Sequence, residues 1–185
     1  MEALDALLNR VSVPRLVEPA PNAAQREALF QAALRAPDHG QLRPWRFLTI
    51  EGAAREKLGE LFAEAVQAKG DANQAALDKA RAMPLRAPLL VVAIARLQNH
   101  FKIPQSEQRL SAACAAHGIL LAAHAQGVGA MWRTGDLAYD NHVAKGLELA
   151  EGEEIIGFLY LGTPLSEPRT APVLATADFV RAWGE

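Results

Sequence analysis

Apolar residues recur along this chain with two periods. Residues 2–9 carry Leu4, Leu7 and Leu8 at helical spacing, and the pattern stops before Pro14. A second helix starts at Asn22, a residue suited to capping, with Gln25 three positions on as the reciprocal half of a capping box. Its apolar face is Leu29, Phe30, Ala33 and Leu34, and Pro37 ends it. The run from Trp45 to Ile50 reads as a strand. Ala53–Ala68 is amphipathic through Leu58, Leu61, Phe62, Ala65 and Val66, and Asp71–Met83 is an Ala-rich helix closed by Pro84. Leu89–Ala95 is short and almost wholly apolar, as expected of a strand buried on both faces.

The longest helix is expected at Glu107–Gln126. Leu110, Ala113, Cys114, His117, Leu121 and Ala125 lie along one broad face, and its many small residues permit close packing. That reading makes Cys114 an inert core thiol and His117 a packing residue. Gly127-Val128-Gly129 ends the helix. Ala130–Arg133 is extended, Asp140–Glu148 is a short helix, and Ile155–Leu161 is a second buried strand closed by Gly162-Thr163-Pro164. The acidic stretch Glu151–Glu154 reads as a solvated loop. A Pro-rich tail follows from Leu165 and finishes on Phe179, Val180 and Trp183.

A few strands lie among several helices that do not alternate with them regularly. No GxGxxG follows a first strand, which argues against a dinucleotide-binding sheet and for an α+β fold. Nothing divides the 185 residues, so one domain over 1–185 is expected. A net charge of −2 gives no electrostatic reason to expect nucleic acid or an anionic membrane as partner. The single cysteine excludes an intrachain disulfide and any metal site built on several thiolates. His117 and His124 stand seven apart without a carboxylate to complete a metal site, so no metal is expected. The apolar runs fall far short of a bilayer span of about 20 residues. The N-terminus lacks the features of a signal peptide. A cytoplasmic protein is expected.

Three segments carry candidate chemistry. In Asn9-Arg10-Val11-Ser12, an arginine and a hydroxyl two apart in extended chain can reach one phosphate. The plainer reading is a helix-end Arg on the dipole and a turn Ser. The second segment runs from Arg35 to Trp45, a polar loop with His39 held between Pro37 and Pro44; it is either a ligand contact or a well-capped surface turn. The third runs from Gly127 to Gly135 and carries Met131, Trp132 and Arg133 between glycines. Arg133 can hold a phosphate there, or be a solvated residue after a core Trp.

Together, in this order, an Arg-x-Ser after the first helix, Ala36-Pro37-Asp38-His39, Pro44-Trp45, Trp132-Arg133 and Gly157-Phe158-Leu159-Tyr160-Leu161-Gly162-Thr163-Pro164 resemble the FMN-dependent nitroreductase family, most nearly its short YdjA-like NAD(P)H nitroreductases. The likeness runs from about Ala3 to Pro164. It implies an α+β fold with a central mixed sheet wrapped by helices. It implies an intertwined homodimer with FMN at the subunit interface and the tail, 165–185, packed on the partner subunit. Arg10, Val11 and Ser12 would hold the FMN phosphate and ribityl chain. Arg35 and His39 would reach the partner's FMN. Met131, Trp132 and Arg133 would lie beside the flavin, with Arg133 on its phosphate. Leu121, Ala122, Ala123, His124, Ala125 and Gln126 match a stretch assigned to NAD(P)H contact.

The implied reaction is ping-pong hydride transfer at flavin N5, from NADH or NADPH to a small-molecule acceptor such as a nitroaromatic or quinone. No side chain need act as a catalytic acid or base. A cation from Arg10 or Arg15 would stabilise the reduced ring. The same platform supports dehalogenase or dehydrogenase chemistry, and a non-catalytic flavin-binding dimer is the third reading. Two positions depart from the family pattern. Val11 stands where a second arginine is common, and Arg43 replaces the Gln that usually precedes Pro-Trp.

Overall fold

The computed structural model describes residues 1–70 and 72–184. Six α-helices and five strands are formed among them: α1 (Ala3–Asn9), β1 (Leu16–Val17), α2 (Ala23–Ala33), β2 (Trp45–Glu51), α3 (Ala53–Ala68), α4 (Gln74–Ala82), β3 (Leu89–Arg96), α5 (Gln105–Ala125), β4 (Gly129–Arg133), α6 (Asn141–Gly146) and β5 (Glu153–Pro164). Apart from the two-residue β1, which no periodicity marks, helices and strands fall where periodicity places them. Asn22 and Gln25 form the expected capping box, with each side chain accepting the other's main-chain N–H at 2.9 Å. Asn73 caps α4 through the Ala76 amide, and the Asp71 start expected for that helix lies outside the described residues.

The sheet is organised by β5, which pairs with β3, β4 and β1. β2 continues the sheet from β3. Every one of these pairings is antiparallel, so the mixed sheet expected from the resemblance is not found within the described residues of this chain. The buried run at β3 does not require parallel neighbours. It is apolar on both sides because helices cover both faces of the sheet. Leu90, Val92 and Ile94 enter one core with Phe62 of α3, Ala80 of α4 and Val143 of α6. Leu89, Val91, Ala93 and Ala95 enter the other, with Leu29 of α2 and Ala112, Ala116 and Ile119 of α5.

β5 serves both cores, and its alternation is interrupted once. Ala93 of β3 faces Gly157, but Ile94 faces Ile155, so Ile156 is an extra residue in a bulge. Ile155 and Phe158, three apart, therefore share one core, and Ile156 and Leu159 share the other. The bulge turns the Ile156 carbonyl to accept the Trp132 indole N–H at 3.3 Å. Gly157 makes room for that ring: a Cβ there would come 2.1 Å from Trp132 Nε1.

The long helix packs the other way round from expectation. Its buried residues are Gln108, Ser111, Ala112, Ala115, Ala116, Ile119, Leu120 and Ala123. Leu110, Cys114 and His117 face outward. Small side chains win the inner face because they let α2 and the sheet approach closely, and Leu110 is left 66 % exposed. Cys114 and His117 are therefore surface groups rather than core groups. The Glu151–Glu154 stretch also differs from expectation, because β5 begins inside it. The Arg46 guanidinium donates to both Glu153 carboxylate oxygens, at 2.7 and 2.6 Å, and Arg109 does the same to Glu154.

Two stability measurements follow. Gly157→Ala displaces the Trp132 indole and should cost about 1–3 kcal/mol by overpacking, read as a lower urea midpoint. Glu153 is largely buried, and the Arg46 fork holds its carboxyl below the usual carboxylate value of 4.5. A carboxyl that is more acidic when folded stabilises the protein above its unfolded pKa and loses that contribution as pH falls through its folded value. Glu153→Gln should therefore cost about 1.5–3 kcal/mol at pH 7, and the gap from the parent should close well below pH 4.5. A gap that stays constant across the acid range would show that the pair contributes by packing alone.

Candidate functional site

Helix α1 ends as the chain turns extended at Arg10, and the next seven residues are strapped across the ends of β4 and β5. The Val13 amide donates to the Ala130 carbonyl at 2.9 Å. Leu16 and Val17 pair with Pro164 and Thr163. The Leu165 amide then donates to the Arg15 carbonyl at 3.1 Å, so the strap and the start of the tail travel together. Strap, β4 and tail enclose a cavity of about 410 Å³, lined by Ser12–Arg15, Met131 and Ser166–Arg169. Two hydroxyls and two guanidiniums stand at its wall beside Val13, Met131 and two prolines, with Glu167 the one carboxylate. This donor set fits an amphiphilic anion, with a phosphate for the arginines and hydroxyls and an apolar body against Met131.

A neighbouring cavity of about 260 Å³ shares Val13 and Pro168 with the first. Arg10, Val11, Leu120, His124 and Gly127–Ala130 line it. Arg10 and Ser12 thus open onto adjacent cavities rather than one. His124 Nε2 is buried there without a hydrogen-bond partner among the described residues. Val11, expected to contribute backbone, buries its side chain.

Strand alternation separates the three residues expected beside a flavin. Met131 and Arg133 lie on one face of β4 and Trp132 on the other, packed against the α2–α5 core. Of the three, Met131 reaches the 410 Å³ cavity. The Arg133 guanidinium sits 5.5 Å from the ring centre of Tyr160, and its Nε has no hydrogen-bond partner among the described residues. Burial pushes the Tyr160 phenol up despite that cation. Leu121, Ala122, Ala123, Ala125 and Gln126 complete the last turns of α5. Ala123 is buried, and Gln126 donates to the Ala122 carbonyl at 3.0 Å.

Arg35 and His39 stand elsewhere. Both are exposed, and His39 Nδ1 lies 2.6 Å from Glu107 Oε2 at the start of α5. His124 lies at the far end of the same helix, about 25 Å away along its axis at about 1.5 Å per residue. No single ligand of ordinary size spans both within one chain.

Arg169 was missed by sequence reasoning. It sits in a Pro-rich tail without periodicity, and its one local signal is a cation directly after Pro168, just past the last strand.

A comparison of the whole chain with known families settles its kinship. The profile described as "Nitroreductase family" matches residues 7–163. The chain belongs to the nitroreductase family. Among curated nitroreductase relatives, "Putative NAD(P)H nitroreductase YdjA" of Escherichia coli K12 is 42% identical over 171 residues, covering 92% of this chain and 93% of that protein. Among solved structures, the nitroreductase-like family protein from Bacillus cereus superposes with a TM-score of 0.85 at 19% identity, over 100% of this chain and 97% of that one. A nitroreductase with bound FMN from Bacteroides fragilis gives 0.75 at 20% identity, with 98% of each chain covered. These superpositions confirm the α+β nitroreductase fold.

Proposed function

We propose that this chain is an FMN-dependent oxidoreductase that acts as a homodimer, passing hydride from NADH or NADPH to a nitroaromatic, quinone or similar acceptor by a ping-pong mechanism. The observation that carries the reading is the cavity of Ser12, Arg15, Met131 and Arg169, whose donors and apolar wall suit FMN, in a chain of the nitroreductase family. The names of relatives supply NAD(P)H and FMN as the partners to test.

Bound FMN supplies the hydride chemistry at N5. The chain's own part is to bind and to orient. Ser12 and Arg169 flank the cavity and suit the phosphate. Arg15 brings a cation to the same wall and so offsets the charge that Val11 does not carry. Arg10 and His124, in the adjoining cavity, are placed to meet an anionic extension of the ligand or the donor. Met131 and Val13 exclude water from one side of the site. Arg133 is held over Tyr160 and lends its field from the same sheet face.

The dimer rests on two features. The exposed Leu110 and Cys114 and the half-buried Leu121 on α5, with the exposed Leu4, Leu7 and Leu8 of α1, are apolar surface left open among the described residues. The tail ends in exposed Phe179, Val180 and Trp183, which a second copy would bury. In that assembly Arg35 and His39, exposed and outside this chain's own cavity, would complete the partner's site. A free, exposed Cys114 suits a reducing cytoplasm.

The purified, dialysed protein should show a flavin absorption band that bleaches under anaerobic NAD(P)H. A band that does not bleach would overturn the donor, and no band after adding FMN would overturn the cofactor. Ser12→Ala/Arg169→Ala should weaken FMN binding at least tenfold to a hundredfold, measured by fluorescence quenching. Subunit sharing has its own test. A mixed dimer of a Ser12→Ala/Arg169→Ala chain and an Arg35→Ala/His39→Ala chain should recover about half the FMN sites of the parent, whereas neither homodimer does. Failure to recover any would overturn subunit sharing.

A further inference from the structure

At one end of the strands, where β2 and β5 begin and β3 finishes, lies a polar cavity of about 360 Å³. Arg43, Arg96, Gln98, Glu151 and Glu153 are its polar lining. None of its lining residues belongs to the Ser12 or Arg10 cavities. We propose that it is an oxyanion-binding site in which the Arg43 and Arg96 guanidiniums grip a phosphate or carboxylate group.

The charge balance points to an anion. Glu153 is already satisfied: its two oxygens take the Arg46 fork, and Oε2 also accepts the Ala150 amide at 3.0 Å. Arg96 Nε stands 3.6 Å from Glu153 Oε1, near enough for attraction and too far for a hydrogen bond, so its donors remain available. The Arg43 side chain makes no hydrogen bond or ion pair among the described residues. Its main-chain amide alone is engaged, donating to Asp38 Oδ2 at 2.6 Å, and this commits the nearby Asp38 carboxylate to backbone. Arg109 and Glu154 close on each other. Glu151 is left as the single unpaired carboxylate of the lining, against two guanidiniums with open forks. Such forks match the planar edge of a carboxylate or the oxygen pairs of a phosphate.

The walls are held in place before any ligand arrives. The Arg96 amide donates to the Pro44 carbonyl at 3.0 Å, and the Leu97 amide to the Gly152 carbonyl at 2.7 Å. Among the described residues, the non-glycine positions with left-handed backbone are Gln41 (φ 55°), Arg43 (φ 48°) and Glu148 (φ 57°). Arg43 lines the cavity and the other two belong to the loops that enclose it. Backbone of this kind persists only where its surroundings over-determine it, and it gathers at ligand clamps.

The test is a titration of the full-length protein, with and without FMN, by inorganic phosphate at matched ionic strength, followed by backbone and Arg Nε–H NMR shifts. Saturable one-to-one shifts confined to Arg43, Arg96, Leu97 and Gly152 are expected. Arg43→Gln and Arg96→Gln should each weaken binding about tenfold or more, and Glu151→Gln should tighten it severalfold. Arg43→Lys, which keeps the charge and loses the fork, should fall between and covers the case in which Arg43→Gln misfolds. Benzoate and the pair NADPH and NADH then separate the sources: competition by benzoate identifies a carboxylate, and competition by NADPH but not NADH identifies a phosphate monoester such as the nucleotide 2′-phosphate. Shifts that do not saturate, that spread equally to Arg81 and Arg109, or that survive in a folded Arg43→Gln/Arg96→Gln protein would overturn the site. None of these results depends on flavin binding, so the two readings stand or fall separately.

Discussion

The indole of Trp132 seated on the bulged backbone of β5 is the contact on which the candidate site depends. The extra residue at Ile156 aims a carbonyl at the indole N–H, and Gly157 leaves the space for the ring. With Trp132 fixed on the α5 side of the sheet, strand alternation sends Met131 and Arg133 to the opposite face. The same register brings the Ala130 carbonyl to the Val13 amide and so lays the strap beside β4. A slip of one residue in β4 would exchange the faces and remove Met131 from the cavity. The family likeness at Trp132-Arg133 and at Gly157 is thus one structural lock read at two places in the sequence.

Helix and strand positions were legible because each has a period and a stop: the Asn22–Gln25 box, Pro37, Pro84 and Gly127 punctuate them. Facing was less legible. On α5 both sides carry small apolar residues, and the larger leucines suggested the wrong one. Volume decided the matter, since the alanines that dominate the inner face let α2 and the sheet close on the helix. The bulge was invisible because Ile155-Ile156-Gly157-Phe158 reads as one apolar run whatever its phase. The continuous hydrophobicity of β3 does not distinguish parallel from antiparallel neighbours, because two helical layers produce the same pattern. Glu153 and Glu154 looked like solvated charge until the fold brought Arg46 and Arg109, distant in sequence, against them.

The segments Arg10–Ser12 and Met131–Arg133 did converge, through the strap. Ser12 and Met131 share a wall, while Arg10 turns into the next cavity with His124. Arg35 and His39 did not join them, and the length of α5 explains why. A rigid helix of 21 residues keeps its two ends apart, so His39, held at one end through Glu107, stands far from His124 at the other.

Val11 changes where positive charge enters the site. A second arginine at that position would be fixed by the strap, whose backbone is bonded on both sides. Here Val11 is buried and the cations that reach the cavity are Arg15 and Arg169. Arg169 is carried by a tail whose later residues are largely exposed in the single chain, so holding it in place has a conformational cost that a strap residue would not incur. Anything that orders the tail lowers that cost for an anionic ligand, and the ligand in turn favours the ordered tail, since the coupling is reciprocal. On the proposed reading the ordering surface is a second copy of the chain, which ties flavin affinity to subunit association. A dimer of this kind would release flavin more readily on dilution than one whose phosphate cations all sit on the strap.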